Sequence, residues 1–104
     1  MALNIAISQE ADAVLVKVAG EVDVSNASEL RDAINAKLPE TTGELGVDLA
    51  DVPYIDSTGI GDLVGAAHRA QEQGATLVVA RPQRNVARVL GMLGVEKDLN
   101  IREA

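Results

Sequence analysis

The chain has 104 residues, a length that supports one hydrophobic core and works against two independent ones. Hydrophobic residues at 47% and charged residues at 24% are ordinary globular proportions, which exclude a disordered or low-complexity chain. Sixteen acids against nine bases give a net charge of −7 that disfavours nucleic acid as a partner; Tyr54 alone offers no aromatic stacking platform, and the lack of cysteine excludes disulfides and thiolate metal sites.

Leu3, Ile5 and Ile7 alternate with polar or small residues, and Val14, Val16 and Val18 repeat the two-residue period after Gln9–Asp12, which predicts a β-hairpin. Gly20 closes its second strand. Asn26 with Glu29 three residues on matches a capping box ahead of Ala27, Leu30, Ile34 and Leu38, predicting an amphipathic helix that ends at Pro39. Leu45, Val47 and Leu49 form a third strand. Ile60, Leu63, Val64 and Ala67 then fall at helical spacing in a second helix that stops at Gly74. Leu77–Val79 is an unbroken apolar run, which suits a strand covered on both faces and placed centrally in a parallel sheet. Val86, Val89, Leu90 and Leu93 restore the helical period, and Leu99 with Ile101 suggest a last short strand. The order β-β-α-β-α-β-α-β predicts an α/β fold, a small mixed and largely parallel sheet flanked by helices, in one domain over residues 1–104. No run approaches the ~20 apolar residues of a membrane span, and the first residues lack the pattern of a secretory leader, so a cytoplasmic location is expected.

The densest group of unusual residues is Asp56-Ser57-Thr58-Gly59-Ile60-Gly61-Asp62, at the junction of a strand and a helix. Glycine within a helix costs about 1 kcal/mol relative to alanine, so Gly59 and Gly61 imply close backbone approach within the fold or by a partner. Ser57 or Thr58 can cap the helix; Ser57 can also present its hydroxyl at an exposed helix start, where free amides and the macrodipole would tolerate a phosphate. Enzymatic readings fail on the same residues. A nucleophile elbow needs glycine two positions before the serine, where Ile55 stands. The only histidine, His68, lies about 16 Å further along the helix at 1.5 Å per residue, out of reach as a base. The glycines lack the third member of a dinucleotide fingerprint, and no phosphate loop is present. Asp48, Asp51 and Asp56 have no metal-ligand spacing, and Arg81, Arg84 and Arg88 read as solvated, so neither metal nor cofactor is expected.

Gly20-Glu21-Val22-Asp23 before the first helix, Asp48-Leu49 in a strand and Asp56-Ser57-Thr58-Gly59 opening the second helix resemble the STAS-domain anti-sigma factor antagonists, bacterial regulators also called anti-anti-sigma factors. The resemblance runs from Leu3 to about Ile101. It implies a binding protein rather than an enzyme. The unphosphorylated form would bind an anti-sigma factor serine kinase and free the sigma factor, phosphorylation at Ser57 would end that binding, and a PP2C-type phosphatase would reset it. The docking surface so implied comprises Asp23, Val24, Ser25, Asn26, Asp56, Thr58, Gly59, Ile60 and Gly61, with Thr58 standing where many relatives have a second serine. Asp62 departs from a commoner hydrophobic residue. The charge and small size suit a free monomer with neither nucleic acid nor membrane as partner. The alternative within the family is a STAS subunit of a lipid-transport ABC complex or of a stressosome-type assembly.

Overall fold

The computed structural model describes residues 2–103. The two alternating segments form β1 (Asn4–Glu10) and β2 (Ala13–Ala19), paired antiparallel with Ile7 opposite Val16. The hairpin turn between them needs Ala11 in the left-handed region, φ 55°. β2 then pairs in parallel with β3 (Glu44–Asp51), Val16 opposite Val47, and β3 in parallel with β4 (Thr76–Ala80), Val47 opposite Val79. Parallel partners need long crossovers, supplied here by α1 (Ala27–Lys37) between β2 and β3 and by α2 (Ser57–Glu72) between β3 and β4. Strand order in the sheet follows chain order, β1-β2-β3-β4.

The row Val16, Val47, Val79 faces the helices and is fully buried, and Leu30 and Ile34 of α1 and Leu63 and Ala70 of α2 close over it. Burying each leucine or isoleucine contributes about 1.5–3 kcal/mol, so an aliphatic core with no aromatic ring suffices at this size. Pro39 does not end α1 abruptly; it sits in a short 3-10 turn, Leu38–Glu40, that continues from it.

Two expectations about the last third of the chain are corrected. β4 is the edge of the four-stranded sheet rather than its centre. Its unbroken apolar run arises because Leu77 and Val79 face the core while Val78, on the other face, is also 96% covered, and because Arg102 bridges to Ala80 along the outer edge. The final strand is not formed either. After α3 (Arg84–Met92), Leu99 is the buried last residue of a one-turn helix, α4 (Glu96–Leu99), and Asn100 at φ 49° turns the chain so that its side chain donates to the Leu77 carbonyl at 2.9 Å and Arg102 makes a backbone bridge to Ala80.

Candidate functional site

α2 begins at Ser57, and its cap is the residue before. The Asp56 carboxylate accepts hydrogen bonds from the Thr58 amide at 3.0 Å and the Gly59 amide at 3.2 Å, and the Asp56 carbonyl accepts from the Ile60 amide at 3.0 Å. Neither Ser57 nor Thr58 therefore caps the helix, and both side chains are exposed. The Thr58 and Gly59 amides, which could have received a phosphate, are already bonded to the Asp56 carboxylate, so a negative charge added at Ser57 would stand beside that carboxylate.

The second half of the site is brought in from β2. Gly20 donates to the Asp51 carbonyl, Val22 donates to the Tyr54 carbonyl at 2.9 Å, and Asp56 donates to the Val22 carbonyl at 3.0 Å, making a parallel bridge between Val22 and Ile55. That bridge sets the segment from Asp23 to Asn26 beside Asp56 and Ser57. Within it, the Asp23 carboxylate accepts from the amide and the hydroxyl of Ser25, which hold its pKa below the usual carboxylate value. Val24 projects into solvent at 76% exposure. Glu21, Asp23, Asp56 and Asp62 make this end of the molecule acidic.

Three of the expected contact residues lie inside. Asn26 is 2% exposed; its Oδ1 accepts from the Asp23 amide at 2.9 Å and its Nδ2 donates to the Glu21 carbonyl at 2.8 Å. It fixes the loop from within, and makes no side-chain cap to α1, so the expected capping box is absent; Glu29 instead accepts from the Leu3 amide. Gly59 and Ile60 are buried as well. A Cβ on Gly59 would stand 2.8 Å from Val22 Cγ1 and from Ile55 Cγ1, so this glycine lets α2 close onto the bridge. Gly61 differs: it is exposed, with nothing within 4 Å of where a Cβ would be. Asp23, Val24, Ser25, Asp56, Ser57, Thr58 and Gly61 are left as the outward surface.

Some features were not legible as functional. Tyr54, 49% exposed, adjoins the site and adds an apolar face to it. Arg81, read as solvated, pairs with Asp48, which is only 4% exposed. Burial pushes the Asp48 pKa up, but the hydrogen bonds from Arg81 and from the Ala50 amide outweigh it and leave the carboxyl below its usual value. His68 is exposed, 3.5 Å from Asp98. No group of three or more His, Cys, Asp or Glu among the described residues could hold a metal ion, and no helix among them is long and apolar enough to cross a membrane.

Comparison with known proteins bears on the family and the fold. The family model described as "Mlab, STAS domain" matches residues 5–103. The anti-sigma-B factor antagonist of Bacillus subtilis (strain 168) is 32% identical over 101 residues, covering 97% of this chain and 92% of the relative. Among solved structures, an anti-sigma factor antagonist from Mycobacterium paratuberculosis superposes with a TM-score of 0.86 at 22% identity, over 98% of this chain and 86% of the other. The Bacillus cell fate determinant SpoIIAA in its phosphorylated form superposes with a TM-score of 0.72 at 17% identity, over 97% and 91%. The structural likenesses show the shared fold. With one match spanning nearly every residue and a relative above 30% identity along both chains, this chain belongs to the STAS-domain family of anti-sigma factor antagonists, regulators that bind rather than catalyse.

Proposed function

We propose that the chain is a phosphorylation-controlled antagonist whose unmodified form binds an anti-sigma factor serine kinase through the Ser57 surface, releasing the sigma factor. The carrying observation is the exposed Ser57 hydroxyl directly after a capping carboxylate, on a surface completed by the bridged Asp23–Ser25 segment. The relatives named as anti-sigma-B factor antagonists and the existence of a phosphorylated structure in the same fold support it.

The physics of the switch follows from Asp56. A phosphoserine carries about −1.5 to −2 charge at neutral pH. At ~6 Å from a carboxylate, a −2 group is repelled by about 1.4 kcal/mol at a water-like ε of ~80 and by about 5.5 kcal/mol at an ε of ~20. A partner that excludes water from the site moves the pair from the first regime towards the second. The difference, about 4 kcal/mol, is on the order of a thousandfold in affinity and is charged only to the complex. Thr58 shares the exposure and is a second candidate acceptor. A PP2C-type phosphatase would restore the binding form.

Phosphopeptide mass spectrometry after incubation with ATP and the cognate kinase reads position 57 directly. Ser57→Ala is expected to bind that kinase in the presence of ATP and stay bound, and Ser57→Asp to bind far more weakly. Equal affinities for the two variants would end this reading. The matched family model carries the description "Mlab, STAS domain" and no kinase, so recovery of a transporter ATPase in place of a kinase would assign the chain to a lipid-transport complex.

A further inference from the structure

The chain carries a second exposed apolar surface whose charge is opposite in sign to that of the Ser57 end. From Arg81 to Val95 there are three arginines and no acid, in a protein of net charge −7. Arg81 is paired with Asp48, but neither Arg84 nor Arg88 has an ion-pair partner among the described residues. With Val86 and Leu90 buried, the 100° step of a helix puts Arg84, Arg88 and Met92 on the outer face of α3 and Val89 and Leu93 on one flank of it. Val89, Met92 and Leu93 are 39%, 78% and 55% exposed. Glu96 lies against Gly91, away from Val89 and Leu93 and at the edge of the face that carries Arg84 and Arg88, so the basic surface is bounded there by one acid.

This basic and apolar surface adjoins the acidic and apolar one. Asn85 donates to the Pro53 carbonyl at 2.7 Å and Gln83 to the Ala50 carbonyl at 3.0 Å, tying the start of α3 to the segment that leads into Tyr54 and Ser57. Two adjacent patches of opposite charge, each with exposed apolar side chains, are complementary to themselves about a two-fold axis: the basic patch of one copy meets the acidic patch of the other, twice. We propose that the occupant of the α3 face is a second copy of this chain, whose Glu21, Asp23, Asp62, Val24 and Tyr54 face Arg84, Arg88 and Met92.

The magnitudes make this association weak and reversible. About 600 Å² per copy, roughly a tenth of the 5635 Å² surface, lies at the low end of specific interfaces. The like net charges are spread over the molecule and largely screened beyond the ~8 Å Debye length at physiological salt, whereas the facing groups are in contact. Because the dimer covers Ser57, self-association and docking of a modifying enzyme exclude each other.

Sedimentation equilibrium of the full chain, from tens of micromolar to about 1 mM, tests the proposal against the 10.8 kDa monomer mass. Association towards twice that mass is expected, weakening on the order of tenfold between ~50 and ~500 mM NaCl. The reversals Arg84→Glu with Arg88→Glu, and separately Glu21→Lys with Asp62→Lys, should each abolish it, and an equimolar mixture of the two folded double variants should restore it, since both contacts then pair opposite charges again. Ser57→Asp is expected to tighten self-association, the reverse of its effect on the kinase, so the two readings fail separately. A monomer throughout, association indifferent to salt, or a mixture that stays monomeric would overturn the inference.

Discussion

Alanine at the two glycines of the first turns of α2 should have different effects on stability, a gain at Gly61 and none or a loss at Gly59. At Gly61 a methyl group enters open space, so only the backbone terms act: alanine is favoured in a helix by about 0.5–1 kcal/mol, equivalent to a rise of a few degrees in melting temperature for a domain of this size. At Gly59 the same gain is set against contacts at 2.8 Å with Val22 Cγ1 and Ile55 Cγ1 and at 3.0 Å with Ile55 Cδ1. Val22 and Ile55 are buried and β-branched, so they have few rotamers into which to withdraw, and overpacking of this kind costs about 1–3 kcal/mol. The expected result is that Gly61→Ala is more stable than the wild type, Gly59→Ala equal to it or up to about 2 kcal/mol less stable, and the variants about 1–3 kcal/mol apart. Urea unfolding followed by far-UV circular dichroism measures all three. Indistinguishable unfolding midpoints for the two variants would refute the claim that one glycine serves internal packing and the other does not. If Gly61 is left bare for a partner, Gly61→Ala should also bind the anti-sigma factor more weakly despite its firmer fold.

Asp56→Ala removes the α2 cap and should cost about 0.5–2 kcal/mol, with Asp56→Asn losing much less; calorimetric melts that fail to separate them would count against the capping role. Asn26→Ala leaves the buried side of the Glu21–Asp23 loop without partners and should cost about 1–3 kcal/mol, with faster hydrogen exchange at the Asp23 amide as its local signature. Asp48 has its pKa lowered in the fold, so its contribution is present above the ordinary carboxylate value near pH ~4 and is lost as pH falls below it. Asp48→Asn should therefore be less stable than the wild type at pH 7, with the gap closing in acid; a gap independent of pH would show that the Arg81 pair is not its source.

Periodicity exposed most of the fold because each core element here is nearly regular. Val14, Val16 and Val18 all point to the helices, and Leu30 and Ile34 of α1 do the same across the interface. The period failed where burial came from a single residue: Leu99 and Ile101 alternate like a strand, yet Leu99 is held by a helical turn and Asn100 in a left-handed conformation ends it. β4 looked central because apolar continuity reports covered faces, not the number of paired edges. In the candidate site, the motif singled out Ser57 and Asp23, which the fold leaves at the surface, but burial could not be read from it. Asn26, Gly59 and Ile60 stand among surface residues in sequence and among core residues in space, since the Val22–Ile55 bridge draws one flank of each segment inward. The Asp48–Arg81 pair spans 33 positions, a separation at which residue spacing carries no signal.

The near absence of rings has a practical side. Tyr54 is the chain's only aromatic residue, half in solvent, its carbonyl holding the Val22 amide three residues ahead of Ser57. Ultraviolet emission from the protein thus originates at a single phenol near the Ser57 hydroxyl, with no background from the interior. Titrating a ligand free of tyrosine and tryptophan while watching that emission would register arrivals at this spot without any attached dye.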